Sequence, residues 1–453
     1  MGTKAPKPLS RLKLTLLVVL LAFVLSVAFI AWRLVTPPAP FPIPPDLALA
    51  YPQAQFDSPD NAWHLYREAA QLAQQVKRPR DPLQPMDGFS AWQRKDAADW
   101  TDEEAAVART FVDAFAKPLA VFEQASRKPF FVEQAIHPDT DLSHLGHLHE
   151  LTRWMLARAA LAERRSDEAA ALRDYTTILH AAAQVSHFAP LISRLTGHNL
   201  EWGVERHLWR MIGDGRYLNA DTYRRLAKAL LQVEEESAPL SETYKVEYAH
   251  QHDVLARIGA EGAKAAQPVS LNPLDPAFDT SSYEFREWFL LATARLRLGA
   301  TNRQVVANYR RLIELADHNP LELLRNPNAQ ATLETHDPLL NLIGSSSSGT
   351  VEEDLRMQAR RRVLALAAAA QAYRLAHGDY PPSVSALVPE FLPALPIDPY
   401  DRQPLRGHRD GDVFLVWSIG PDLHDDQGLK FLPLISHNAV DTGDLVLRLQ
   451  PPK

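Results

Sequence analysis

The chain contains no cysteine among its 453 residues. This absence excludes disulfide bonds, a thiolate nucleophile, a cysteine-ligated zinc site and the acylated cysteine of a lipoprotein. A basic surface is also lacking, because the formal net charge is -7 and no Lys/Arg run interleaved with aromatic residues occurs beyond the N-terminus. We therefore expect no nucleic-acid partner. A glycine-rich phosphate loop, a G-x-S-x-G elbow and an H-E-x-x-H pair are missing too, so no familiar motif assigns a reaction.

The longest apolar run, Leu14–Trp32, carries no charge. As a helix it would cover roughly 28 Å, close to the thickness of a bilayer's hydrocarbon core. Four basic residues precede the run, whereas Arg33 alone follows closely. This bias predicts a single-pass anchor in a bacterial inner membrane, with residues 1–36 as cytoplasmic tip and anchor and the bulk outside. The alternative is a signal peptide cleaved near Ser26-Val27-Ala28.

A proline-rich stretch follows the apolar run. Seven prolines lie between positions 37 and 52. Such density prevents a helix and favours the extended polyproline conformation. We therefore predict a semi-rigid spacer over residues 37–55, long enough to hold the next domain several tens of ångströms from the bilayer.

Residues 56–340 show helical periodicity throughout. Ser58-Pro59 is typical of a helix start, and the segment from Thr101 to Glu104 reads as a capping box. The segment Ala157–Leu179 looks like the turn between two tetratricopeptide helices, although no repeat with a period near 34 is convincing. The sequence predicts a mainly α protein with an antiparallel helical-hairpin, solenoid-like domain here. A Ser/Gly linker over 341–351 separates it from a last domain, 352–453.

The last domain is expected to be a small α+β unit. A helix over residues 351–376 would pack a face with Leu355, Val363, Leu366 and Tyr373 onto a sheet. The strand 413–419 would pair with residues 444–449, because both are apolar and rich in β-branched residues. By period-two alternation, Phe414 or Val416 should point inward and Trp417 should lie on the opposite face.

This region resembles the globular domain of the major pseudopilins of type II secretion over about residues 352–449. The matching elements are Tyr373, 378–381, Leu387, Leu392, 395–396, 398–400 and 417–422. Two features depart from that family. The N-terminus has Leu12-Lys-Leu-Thr-Leu16 in place of the family's Gly-Phe-Thr-Leu-Ile-Glu, and roughly 300 residues separate the apolar run from the resembling region. Pilus assembly is therefore not implied.

The resemblance also implies a calcium site, because the major pseudopilins bind calcium in the loop after the strand that corresponds to 413–419. The candidate ligands here are Asp422, Asp425, Asp426 and Asp444. Carboxylates suit a hard cation that takes six to eight oxygen ligands. The alternative is a solvated acidic turn that Gly428 ends.

Other chemical candidates are weaker. His144 and His147 share a helix face, but His149 lies about 160° round the helix from His147. The three histidines therefore do not form a zinc set. Asp441-Thr442-Gly443 spells the aspartic-protease triplet, yet that chemistry needs two carboxylates that share a proton. We interpret this triplet as a turn.

The preferred hypothesis is a non-enzymatic, extracytoplasmic binding or scaffold protein. A protein or peptide would lie in a groove between helical hairpins, and the pseudopilin-like head would add a second contact surface. The alternatives are an accessory component of a type II secretion or pilus-like system, and an envelope hydrolase with its active site in the helical domain. A smooth apolar groove would favour binding, whereas a polar pocket with clustered acids and histidines would favour the hydrolase.

Overall fold

A computed structural model describes most of the chain. The described residues are 11–49, 51–80, 99–133, 142–217, 219–262, 290, 293–326, 337, 339–340, 349–429 and 443–450. The helices are α1 (Arg11–Val35), α2 (Gln53–Phe56), α3 (Ala62–Gln75), α4 (Asp102–Ala114), α5 (Ala116–Ser126), α6 (Ser143–Glu163), α7 (Glu168–Gln184), α8 (Leu191–Gly213), α9 (Ala220–Glu236), α10 (Leu240–Glu261), α11 (Leu298–His318), α12 (Glu322–Arg325) and α13 (Gly349–His377). Short 3-10 turns cover Ala294–Leu296 and Val384–Leu387, and the strands are β1 (Arg406–Asp410), β2 (Val413–Ser418) and β3 (Leu445–Leu449).

Helix α1 is the apolar segment that the sequence predicts. None of its window Val18–Val35 is buried against the rest of the protein. Within the described residues it is the single helix long and apolar enough to cross a bilayer. Such a helix fits a single-pass membrane anchor or a signal sequence.

The predicted helical character of residues 56–340 is confirmed in the described part of that range, which holds no strand and a single isolated bridge between Asn61 and Phe130. The capping box is present: Glu104 N–H donates to Thr101 Oγ1 and Thr101 N–H donates to the Glu104 carboxylate. The predicted start at Ser58-Pro59 was wrong by a few residues. Asn61 caps α3 instead, because its side chain accepts a hydrogen bond from Trp63 N–H.

Helix α13 is buried on all sides in its middle turns. One face packs on α8 and α9, and another packs on β2 and β3. The alanine-rich stretch from Ala365 to Ala372 allows neighbours to approach on every side, because alanine adds little bulk beyond the backbone. The same core cluster therefore contains residues of α6 to α9, α13 and the sheet. The predicted face with Leu355, Val363 and Leu366 is part of it, and Tyr373 packs at its edge.

The sheet has the order β1-β2-β3 and is antiparallel throughout. Phe414 and Val416 belong to the main core, whereas Leu415 and Trp417 form a small cluster on the other face with Val446. The predicted alternation along β2 and its pairing with β3 are confirmed. Strand β1 was not predicted, since its sequence Arg-Gly-His-Arg-Asp is polar and shows no apolar alternation.

A second core cluster holds the proline-rich stretch. Leu47 is buried in it, Phe41 packs against it, and the remaining members come mainly from α10 and α11. The Phe41 carbonyl lies 2.9 Å from His252 Nε2, and Asp46 pairs with Arg310 at 2.7 Å. Residues 37–49 therefore lie along the helical domain. The predicted spacer of several tens of ångströms was wrong for these residues, because Leu47 is buried in the helical domain and Phe41 packs against it.

The predicted linker 341–351 lies outside the described residues except for 349–351, which begin α13. The bounds of the predicted domains stay a prediction. In the described residues the main core cluster runs without a break from the helical range into the last 100 residues.

Two glycines of α8 give a matched test of helix packing. A Cβ at Gly197 would lie 2.7 Å from the Ala182 carbonyl oxygen of α7, whereas a Cβ at Gly203 would meet only the Leu156 Cδ1 at 3.3 Å. We expect Gly197→Ala to lower the melting temperature in detergent, with a loss of about 1–3 kcal/mol of unfolding free energy. Gly203→Ala should be neutral or stabilising by up to ~1 kcal/mol, because alanine favours the helix. Equal melting temperatures would contradict the close α7–α8 packing.

Candidate functional site

A cavity of about 350 Å³ lies where α8, the end of α9, the start of α10 and the start of α13 meet. Its lining mixes charged and polar residues with apolar ones: Ala182, Ser186, Arg194, His198, Glu201, Glu234, Ser237, Ala238, Pro239, Leu240, Ala316, Asp317, Pro320, Val351, Asp354, Leu355, Met357, Gln358 and Arg361.

The first charged group joins α8 to α13. Arg194 Nη2 donates to Asp354 Oδ1 at 2.5 Å, and His198 Nε2 lies 3.5 Å from the same oxygen. Although burial raises the pKa of Asp354, Arg194 and His198 outweigh it and hold that pKa below its ordinary value. Asp354 is therefore ionised at neutral pH.

The second charged group is a bidentate ion pair. Arg361 donates to both Glu201 oxygens, at 2.5 and 2.6 Å, and both residues are buried. Burial lowers the pKa of the Arg361 guanidinium, but the Glu201 carboxylate more than offsets this and raises it. The planar guanidinium fits a carboxylate in this two-bond geometry.

The rim of the cavity is acidic. Glu234 lines it and pairs with Arg362, which lies outside the lining. Asp317, at the end of α11, is exposed. The lining contains four carboxylates and two guanidinium groups. Arg362, outside the lining, pairs with one of the carboxylates, that of Glu234. Apart from His198, the four carboxylates therefore exceed the guanidinium groups that pair with them by one, which is Asp317.

Hydrogen-bonding capacity remains free in the cavity lining. His198 is buried, and its Nδ1 has no partner among the described residues; the same holds for Arg194 Nε. Buried polar atoms are usually satisfied by protein or by a bound molecule. Both atoms are buried, so a ligand in the cavity would reach them only if these side chains moved.

No activated nucleophile is apparent in the described lining. Ser186 Oγ donates to the Ala182 carbonyl, and Ser237 Oγ donates to the Val233 carbonyl. Neither hydroxyl bonds to His198, whereas nucleophilic catalysis by serine needs an adjacent base. A pocket with acids and a histidine, which would favour the hydrolase hypothesis, is present. A serine hydroxyl that is hydrogen-bonded to the histidine is absent from the described lining.

Glu205 lies behind the lining of the cavity, one helical turn beyond Glu201 on α8. It is buried, and neither of its carboxylate oxygens accepts a hydrogen bond from a described residue. Burial, together with the nearby carboxylate of Glu201, raises the pKa of Glu205 to about 8 against the pull of Arg360 and Arg361. Glu205 is thus largely protonated at neutral pH.

The four predicted calcium ligands lie near one another at the end of β2. Asp444 is buried and accepts hydrogen bonds from Asp426 N–H at 3.2 Å and Gly428 N–H at 2.6 Å. Asp425 accepts from Trp417 Nε1 and pairs with Arg406, while Asp422 accepts from Gly443 N–H. Protein donors therefore already engage three of the four carboxylates.

The fourth carboxylate, Asp426, has one buried oxygen without a hydrogen-bond partner in the described residues. Burial, with Asp425 and Asp426 adding to it, raises the pKa of Asp444 to about 6. No group of three or more His, Asp or Glu side chains in the described part of the chain is arranged to hold a metal. Calcium binding stays a prediction.

The three histidines of α6 have different neighbours. His144 pairs with the buried Glu133 at 3.1 Å and packs edge-on against Trp63. His147 lies 3.7 Å from Glu150. Burial, and then Arg153, lowers the pKa of His149. Asp441 and Thr442 of the predicted turn lie outside the described residues.

Sequence reasoning did not find the charged cavity. A signal was nevertheless present in α8, where Arg194, His198, Glu201 and Glu205 recur at helical spacing within a buried helix. A polar stripe on a helix that is otherwise apolar needs partners inside the protein. Those partners lie on α13, about 160 positions away in sequence, which no local pattern can reveal.

No protein-family model, no curated protein and no solved structure matches this chain. The pseudopilin resemblance of the last domain therefore stays a prediction that rests on its sequence motifs.

The raised pKa of Glu205 predicts a specific pH dependence. The ordinary pKa of a glutamate is 4.5, as in the unfolded chain, whereas the pKa of Glu205 in the folded protein is raised to about 8. Stability from this group is therefore full below pH 4.5 and is lost as pH rises towards 8. We expect Glu205→Gln to raise the melting temperature at pH 8, which corresponds to a gain of about 1–3 kcal/mol in unfolding free energy. At pH 5 the substitution should change the melting temperature little.

The matched control for this measurement is Glu235→Gln, on the exposed face of α9. Its melting temperature should follow that of the unchanged protein at both pH values. A Glu205→Gln variant that is less stable at pH 8 would show that Glu205 is ionised and paired in the folded protein.

Proposed function

We propose that this chain is a membrane-anchored extracytoplasmic binding protein, and that its cavity takes a small polar ligand with a cationic group such as an ammonium. The observation that carries the proposal is the lining: its four carboxylates exceed the guanidinium groups that pair with them by one, the carboxylate of Asp317 at the rim. An excess of carboxylates attracts a cation, and it does so more strongly where water is partly excluded.

The size and free groups of the cavity support a small ligand. Its volume of about 350 Å³ lies at the lower end of the usual range for small-molecule pockets. Asp317 at the rim is a carboxylate for which the described residues provide no ion pair. A ligand that carries an ammonium suits it.

The ionisation and pairing of the carboxyl groups favour a binding function over hydrolysis. Asp354 is held ionised by Arg194, and Glu201 is fully engaged by Arg361. Glu205 has a pKa in the range of a general acid, but it does not line the cavity. A general acid must reach the proton that it transfers.

The location of the protein is part of the proposal. Helix α1 supports a single-pass anchor, and the excess of basic residues before it supports a cytoplasmic N-terminus. The bulk of the chain would then lie outside the cytoplasm, in a bacterial inner-membrane setting. The helix-on-sheet arrangement of α13 and β1 to β3 is consistent with the proposed pseudopilin-like head.

The ligand proposal is tested by thermal unfolding of the full-length protein in detergent. Spermidine and L-lysine should raise the melting temperature, because a ligand that binds only the folded state adds about 2.7 kcal/mol of stability at a hundred times its Kd. L-glutamate at the same ionic strength should not. Asp317→Asn should weaken the spermidine effect, since it removes the free carboxylate at the rim.

Asp412→Asn is the matched control, because Asp412 is an exposed aspartate in the turn between β1 and β2. It should leave the spermidine effect unchanged. If L-glutamate stabilises the protein more than either amine, the ligand carries a negative charge and the proposed class is wrong.

The calcium prediction is tested in the same assay with calcium chloride, magnesium chloride and a chelator. Calcium should raise the melting temperature of the full-length protein, and Asp426→Asn should reduce that rise because it removes the carboxylate with a free oxygen. If neither calcium nor the chelator changes the melting temperature, the calcium prediction is wrong. The loop is then a turn held by the hydrogen bonds of Asp444.

A further inference from the structure

Arg295 connects the anchor to the helical domain. Its guanidinium is buried and donates only to backbone carbonyls. Nη1 donates to the Leu34 and Val35 oxygens of α1, at 2.8 Å each. Nε donates to the Gly259 oxygen at 2.8 Å and Nη2 to the Ala260 oxygen at 2.5 Å, both in the last turn of α10.

This arrangement satisfies two helix ends with one side chain. The last carbonyls of a helix lack intrahelical partners and carry partial negative charge. A guanidinium is always charged and offers donors in a planar fork, so it can serve the ends of α1 and α10 together. We name these contacts of Arg295 with α1 and α10 the anchor clamp.

The clamp lies at the C-terminal end of the apolar window of α1. The apolar window of α1 ends at Val35, one of the two α1 residues that Arg295 holds. The chain then turns directly along α10, because a Cβ on Gly259 would lie only 3.2 Å from Pro38 Cγ. No slack segment is left between the anchor and the helical domain.

The turn beside the clamp combines an exposed apolar side chain with nearby arginines. The 3-10 turn Ala294–Leu296 touches α1, and Leu296 exposes 43 % of its surface although it is apolar. Arg33 and Arg297 lie next to the clamp in sequence and pair with no acid among the described residues. An exposed leucine flanked by free arginines suits an interface of acyl chains and anionic headgroups.

We propose that the anchor clamp seats the helical domain directly on an anionic bilayer surface, with Leu296 in the interface and Arg33 and Arg297 facing lipid phosphates. The domain is then held at a fixed orientation rather than carried on a flexible tether. This inference rests on the proposed anchoring of α1 in a bilayer, but it is independent of what the cavity binds, because none of its residues lines the cavity.

The absence of cysteine makes the test direct. The full-length protein with Leu296→Cys is labelled with an environment-sensitive nitrobenzoxadiazole probe in nanodiscs that contain phosphatidylglycerol. The emission should shift to shorter wavelength and lose most of its intensity when lipids with a doxyl quencher in the acyl chain are added. Ile397→Cys is the matched control, because Ile397 has the same exposed fraction of 43 % and lies in the head; it should show neither change.

Two further measurements separate the clamp from simple proximity to the anchor. Arg295→Lys keeps the positive charge but cannot bond four carbonyls in a fork, so the label at position 296 should lose most of its quenching while the melting temperature shows a folded domain. In nanodiscs of phosphatidylcholine alone the quenching should also fall, since the free arginines lose their anionic partners.

Equal quenching at positions 296 and 397 in the presence of Arg295 would overturn the proposal, whatever the Arg295→Lys variant does. Quenching at 296 that is unchanged by Arg295→Lys in a folded protein would overturn the role of the clamp. Quenching that is identical in both lipid compositions would overturn the role of lipid phosphates.

Discussion

The burial of α13 on all sides is the constraint on which the rest of the structure depends. A helix at the edge of a small α+β head would bury one face on its sheet and leave the other in water. Here the second face packs on α8 and α9, so the alanine-rich turns serve two neighbours at once. The helical range and the head therefore share one core.

Burial of α13 also explains why charges lie inside the protein. Its first half carries Asp354, Arg360 and Arg361, which burial would leave unsolvated unless partners were provided. Helix α8 provides Arg194 and Glu201 at matching heights. A buried ion pair adds little stability over an apolar pair of the same volume. In one pair α8 supplies the arginine and in the other it supplies the carboxylate. A slip of one helical turn would separate both pairs, so their main effect is to fix the register of α8 against α13.

Much of the fold follows from local pattern, whereas the site does not. The apolar run of α1, the capping box at Thr101 and the alternation in β2 each depend on neighbours within a few residues, so sequence alone identifies them. Strand β1 is polar, and only the adjacent β2 defines it as a strand. The density of prolines predicts an extended spacer, because proline prevents regular structure. That property does not prevent Leu47 from being buried against the helical domain. The charged cavity needs pairs between distant segments, and no local signal encodes them.

The position of the cavity has a packing explanation. The described residues contain two large core clusters, one around α6 to α9 with the sheet and one around α10 and α11 with the stretch after the anchor. Helix α13 joins them, since Val351 belongs to the second cluster and Leu355, one turn later, to the first. The cavity is lined by both residues and thus lies at the seam between the clusters. Dense packing is hardest to achieve where separately packed layers meet, and a void there loses van der Waals contacts on each side. A molecule bound at this seam would restore those contacts and link the core nearest the anchor to the core that carries the head.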